Sequence, residues 1–98
     1  MSIEYFRSRK LLDLARGQTC QACGIEDGTI VAAHSNQSRH GKGMHNKSHD
    51  CFIAWLCYKC HHTLDHGSKL SREERIEIWQ AAHDGTILQL FQSGLVLV

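Results

Sequence analysis

Four cysteines come as two pairs, Cys20-Gln-Ala-Cys23 and Cys57-Tyr-Lys-Cys60, with 33 residues between them. A C-x-x-C turn delivers two thiolates from one short segment. Two such turns supply the four sulfurs that tetrahedral Zn2+ takes in a closed structural site. The spacing favours this over a redox pair, for which one C-x-x-C suffices and a βαβ surround is expected. A disulfide reading needs an oxidising compartment. The fifth thiol, Cys51, precedes Phe52 and an apolar run, so it reads as a small buried hydrophobe outside the site. A closed zinc site has no open coordination position and does no chemistry itself.

A second set of residues needs its own account. His34 ends the run Thr29-Ile-Val-Ala-Ala-His34, Asp50 ends a polar stretch, and His61 directly follows Cys60 with Asp65 four residues on. On a helix, His61 and Asp65 share a face and can bind one ion together. If the cysteine turns tie these segments together, His34, Asp50, His61 and Asp65 converge. An imidazole with a reference pKa near 6.5 and carboxylates beside an open loop are parts that phosphodiester hydrolysis uses: a base for water and a metal ion on the phosphate. The plainer reading stands beside it. A histidine at a strand end is commonly a packing group, and an i,i+4 His–Asp pair is commonly a helix-face hydrogen bond. His62 lies about 100° around the helix from His61. His40, His45, His49 and His66 read as solvated or phosphate-facing, and His83 as structural.

The elements that must position these groups are short. Arg7 to Arg16 reads as a helix ended by Gly17, with Leu11, Leu12 and Ala15 on one face. The stretches ending at His34 and starting at Cys51 read as strands, and the segment from Cys60 as a helix stopped by Gly67. Ser71 and Glu74 form a capping box. The helix after them, with Ile76, Trp79 and His83 in phase, is expected to pass Gly85 and end near Gly94; a terminal hairpin is the alternative. Residues Ser35 to His49 read as a loop with almost nothing to bury. Its Arg39, Lys42 and Lys47 can follow a phosphate backbone, and Gly41 and Gly43 can let the backbone approach a ligand. Arg7, Arg9 and Lys10 extend that basic surface if they share its face.

The 98 residues are expected to form one domain, residues 1–98, with a modest core drawn from a 42% apolar composition. A net charge of +1 gives no strong nucleic-acid signal by itself. No apolar run reaches the roughly 20 residues of a membrane span. The basic start has no apolar leader behind it, which points to a reducing cytoplasm.

Taken in order, "CQAC", "VAAH", "HGKG", "KSHD" and "WLCYKCHHTLD" resemble the HNH endonucleases with a four-cysteine zinc site, and most closely the small YbcO-like nucleases of bacteriophages and prophages. The resemblance runs from about Arg7 to Gly67 and more weakly to Gly94. It implies an α+β fold with a ββα-metal core, a structural zinc on Cys20, Cys23, Cys57 and Cys60, and flanking N- and C-terminal helices. It implies a DNA endonuclease of the host cytoplasm acting on duplex, single-stranded or branched DNA, alone, as a homodimer or with a partner protein. His34 matches the general base and His61 the ligand of a catalytic Mg2+ or Mn2+. Asp50 stands near the central residue that orients the base or binds metal, Asp65 at a second ligand position, and Lys47 at a phosphate contact. Ala33 stands where many relatives carry a metal ligand before the base, which leaves Asp50, Asp65, His62 or His49 to supply it. A zinc-stabilised DNA- or protein-binding module without catalysis is the alternative.

Overall fold

The computed structural model describes residues 4–66 and 69–96. They form a small α+β arrangement of one two-stranded antiparallel sheet and three helices. Helix α1 (Arg9–Asp13) precedes strand β1 (Val31–His34), strand β2 (Ile53–Leu56) runs into helix α2 (Tyr58–His66), and helix α3 (Arg72–Gln92) follows. The expected stop at Gly67 and the last residues of the apolar terminus, Leu97 and Val98, lie outside the described residues.

Helix α1 is shorter than the expected Arg7 to Arg16. Ser8 is extended, at φ −150°, because its N–H donates to Asp50 Oδ2 at 2.7 Å. The Ser8 hydroxyl then accepts from Leu11 N–H and caps the helix one residue later. Past Asp13 the chain turns to Gly17, whose φ of +80° suits glycine.

The sheet sets Ala33 opposite Ala54 and His34 opposite Ile53. Two four-residue strands do not hold together alone, and α3 supplies what a third strand would. Thr86 Oγ1 accepts from Trp55 N–H at 2.9 Å while donating to Ala82 O within the helix at 2.9 Å. His83 Nδ1–H donates to Ile53 O at 2.6 Å, and Trp79 Nε1–H to Ala33 O at 3.1 Å. Gln21 N–H, from the first cysteine turn, donates to Trp55 O at 2.8 Å. The open edge of β2 is thereby paired by Thr86, His83 and the cysteine turn, while Trp79 bonds β1. This explains why β2 is buried at all four positions and reads as a continuous apolar run. Helix α3 begins at the expected capping box, with Glu74 N–H on Ser71 Oγ at 3.1 Å and Ser71 N–H on Glu74 Oε1 at 2.9 Å. It passes Gly85 as expected. A Cβ there would sit 2.5 Å from Gln21 Oε1, so the missing side chain admits the cysteine turn against the helix.

The loop from Ser35 to His49 is polar in composition but packed in fact. The His40 ring stacks on Phe52 with centroids 4.2 Å apart and leans on Trp79 at 5.7 Å. Burial, with the charges of Arg39 and His83, holds His40 below its ordinary pKa of 6.5. His49 lies 5.3 Å from the Tyr5 ring, and its Nδ1 accepts from Phe6 N–H at 3.0 Å. Both histidines were expected to be solvated or phosphate-facing; a neutral imidazole has an apolar face, and a loop poor in aliphatic residues packs with it. Cys51, expected inside, is exposed, because the turn at residues 50–52 sends Asp50 inward and Cys51 out.

Gly41 serves this packing rather than a ligand. It closes a short 3-10 turn (Ser38–His40) at φ +93°, a Cβ would lie 2.9 Å from His49 Cδ2, and its carbonyl accepts from the Tyr5 hydroxyl at 3.0 Å. Gly41→Ala is expected to destabilise the protein by about 1–3 kcal/mol in urea unfolding. An unchanged midpoint would mean that the His49 ring yields freely.

Candidate metal site and the adjoining histidine groove

The four sulfurs of Cys20, Cys23, Cys57 and Cys60 lie within 4.8 Å of one another. Zinc held at about 2.3 Å by tetrahedral sulfurs spaces them by about 3.8 Å, and Cys23 Sγ to Cys57 Sγ is 3.8 Å. Each pair is shaped by its local backbone. In the first, Cys20 N–H donates to Ile25 O and Gly24 N–H to Cys20 O, both at 2.8 Å, with Gly24 at φ +81°. In the second, Cys57 stands just before α2, and Cys60 N–H approaches its sulfur at 3.5 Å. A helix start favours a thiolate there.

The thiols oppose one another. Burial pushes Cys20 up, but the backbone groups of Cys57, Cys23 and Ala22 and the Cys23 thiol outweigh it and bring Cys20 to about 7. For Cys23 the Ile25 backbone pulls down, yet burial and the Cys20 and Cys57 thiols raise it overall. Burial, then the other three thiols, push Cys60 well up. The Cys20 thiolate is favoured, and those of Cys23 and Cys60 are resisted. A divalent cation among the sulfurs removes that resistance and releases protons on binding. The donor set fits a structural metal ion such as zinc, and Cys51 has no part in it.

His34 and Asp50 come together. His34 Nε2 lies 2.8 Å from Asp50 Oδ1, and the Asp50 side chain is only 4% exposed. Asp50 Oδ2 accepts from Ser8 N–H at 2.7 Å, and Arg7 Nη1 reaches Oδ1 at 3.2 Å. Arg7 also donates to Ser48 O at 2.6 Å and Lys47 O at 2.9 Å. It ties the loop to Asp50 while its side chain stays 42% exposed. Burial pushes the Asp50 carboxyl up, but the bonds from His34 and Ser8 and the charges of His34 and Arg7 hold it below its ordinary 3.8. An ionised Asp50 only accepts, so His34 donates through Nε2–H and a neutral ring keeps Nδ1 as its basic nitrogen.

His61 and Asp65 also pair, at 2.9 Å between Nε2 and Oδ2 across one turn of α2. Asp65 Oδ1 accepts from Asn36 Nδ2 at 3.1 Å. Asn36 was not singled out in the sequence; its one signal is its place two residues after His34, on the same side of an extended chain. His34, Asn36, Lys42, Lys47, His61 and Asp65 line one open groove of about 550 Å³. Tyr58 stands at its margin, 69% exposed.

Asp50 is not gathered with His61 and Asp65 into one group of side chains. Among the described residues, the four cysteines are the one group of three or more potential ligands gathered closely enough to hold an ion. Asp50 has both oxygens engaged and does not line the groove. His49 and His62 do not line the groove. His49 packs on Tyr5, and His62 stands between Tyr58 at 5.9 Å and His66 at 5.1 Å. Strand alternation turns Ala33 into the core, at 2% exposure. Arg39 leaves the groove to Lys42 and Lys47, donating from Nε to Gln37 at 2.6 Å and from Nη2 to Gln80 at 3.3 Å.

Among the described residues, no helix is long and apolar enough to cross a membrane. No protein-family model, curated protein or solved structure matches the chain.

The buried carboxylate has a pH consequence. The folded Asp50 carboxyl lies below 3.8, so the unfolded chain takes up this proton first as pH falls. Its contribution is full above about pH 4 and is lost as pH drops through the folded value. Urea unfolding from pH 7 to pH 3 is expected to show a steeper acid-side loss in the wild type than in Asp50→Asn. The difference between the two isolates the carboxylate from the thiolates, and equal losses would contradict the assignment.

Proposed function

We propose that the chain is a metal-dependent DNA endonuclease of the HNH type, with β1, β2 and α2 forming a ββα-metal core. One observation supports this above others: His34, oriented by ionised Asp50, and the His61–Asp65 pair line the same open groove, beside Lys42 and Lys47. In this reading His34 Nδ1 takes the proton of the attacking water. Lys42 and Lys47 meet phosphate oxygens and set the register of the strand. Asn36 holds Asp65, and Asp65 with His61 would hold Mg2+ or Mn2+, ions that commonly take few protein ligands and keep several waters. When bound, such an ion stabilises charge on the phosphate and the leaving oxygen. The cysteine site fixes α2 against the strands and so fixes His61 relative to His34.

A second reading, a zinc-stabilised DNA- or protein-binding module, has its own support: His61 and Asp65 provide only two protein donors, and these are bonded to each other. Zinc per chain and cleavage of plasmid, single-stranded and branched DNA separate the two. The nuclease reading expects one zinc per chain and cutting that depends on added Mg or Mn. Folded, zinc-loaded protein that cuts none of these with Mg, Mn, Co or Ni would leave the binding module.

A further inference from the structure

We infer that a second groove, walled by Arg72 and Arg75, seats the nucleic-acid backbone flanking the phosphate at His34; this rests on the nucleic-acid reading of the first groove. The second groove has a volume of about 190 Å³ and is lined by Asn36, Asp65, Arg72, Arg75 and, on its apolar side, Leu64 and Trp79. Asn36 and Asp65 line both grooves, so the hydrogen-bonded Asn36–Asp65 pair is their common wall. A chain following the cations passes from Lys42 and Lys47 across this wall to the arginines.

Charge is segregated toward this path. The whole protein has 11 Lys and Arg against 10 Asp and Glu. The two grooves hold four of the former, Lys42, Lys47, Arg72 and Arg75, and of the latter only Asp65. Asp65 makes no direct bond to the arginines, since its oxygens serve His61 and Asn36. Among the described residues no ion pair or side-chain hydrogen bond occupies Arg72 or Arg75. Of the acids of α3, Glu73, Glu77 and Asp84 line another concavity with Gln80, and the Glu74 carboxylate accepts from Ser71 N–H in the helix cap. Helical spacing produces this division, placing 72, 75 and 79 on one face and 73, 77, 80 and 84 on another. Uncompensated guanidinium forks match phosphate oxygens, and Arg binds them in bidentate fashion.

The test uses the full chain, zinc-loaded, with His34→Ala and no added Mg or Mn, so that binding is read without cleavage. Anisotropy of labelled single-stranded and duplex oligonucleotides is followed from 50 to 300 mM KCl. The added pair Arg72→Ala and Arg75→Ala is expected to weaken binding and to make the slope of log K against log salt shallower by about 2. Arg9→Ala with Lys59→Ala, cations lining neither groove, is expected to leave the slope alone. The Arg72→Lys and Arg75→Lys chain is expected to retain it. An unchanged slope in the alanine chain, or a loss shared by the Arg9 and Lys59 control or by the lysine chain, would overturn the proposal. Absence of binding in every chain would overturn both this subsite and the nucleic-acid reading. Arginine-dependent binding in a protein whose wild type never cuts DNA would leave the subsite standing and remove only the nuclease.

Discussion

The Cys57→Ser chain is expected to lose metal binding at the cysteine site and its fold together. Cys57 is 2% exposed at the junction between β2 and α2, and its carbonyl accepts from His61 N–H at 2.9 Å. Its sulfur lies 3.8 Å from Cys23 in the other knuckle, so it joins segments that are far apart in the chain. A structural zinc in small domains contributes about 10–16 kcal/mol of apparent binding free energy. A whole domain is stable by about 5–15 kcal/mol. Removing one sulfur therefore removes an effect as large as the net stability. The rest of the core is small, built on Trp55, Leu56, Leu64, Trp79 and Leu90. The expected result is no bound zinc by elemental analysis, no near-ultraviolet dichroism from Trp55 and Trp79, and no cooperative melt. Cys51→Ser, at an exposed position outside the cluster, is expected to match the wild type in all three. A Cys57→Ser chain that melts cooperatively at the wild-type temperature would show that the cysteines do not hold the fold.

What was legible in the sequence is what local spacing controls. Two C-x-x-C pairs announced a shared site, Ser71 and Glu74 announced the start of α3, and the i,i+4 spacing of His61 and Asp65 announced their contact. The strands were readable from β-branched and apolar runs, though only four residues of each carry the ladder. The partners of these residues were not legible, because they come from distant segments. Arg7 meets Asp50 across 43 positions, and Asn36 meets Asp65 across 29. No periodicity carries such pairings. Histidine adds an ambiguity of its own. His40, His49 and His83 count as polar in composition but pack as aromatic rings around Phe52 and Trp79, while His34 uses the same chemistry to face a groove. Burial separates these cases, and burial is a property of the whole fold. Thr86 was equally silent: nothing in its neighbourhood marks it as the residue that closes the edge of β2 at Trp55.

His34→Ala is expected to be folded, zinc-loaded and deficient in cleavage by about 10²–10⁴-fold, the usual weight of a general base. The fold should survive because Asp50 keeps two other partners, Arg7 and Ser8 N–H, when the imidazole is removed. Cleavage should recover partly with added imidazole, which restores the base without restoring the side chain. On the nuclease proposal Asp50 acts through His34, so its substitution reads differently. In Asp50→Asn one carbonyl oxygen must serve three donors, Ser8 N–H, His34 Nε2–H and Arg7 Nη1–H, where two carboxylate oxygens served them. The amide nitrogen can then meet only an unprotonated Nε2, which leaves the proton on Nδ1 and removes the basic nitrogen from the water. On the nuclease proposal the expected result is a fall in kcat with KM nearly constant, because Lys42 and Lys47 still line the groove. A merely structural role would lower the amount of active protein and leave the kcat of the folded fraction unchanged, so rates are normalised to zinc-loaded chain. Wild-type cleavage by His34→Ala would remove this histidine from the chemistry. Full kcat in Asp50→Asn would show instead that His34 finds its orientation without the carboxylate, and that Asp50 is there to anchor Arg7 and the start of α1.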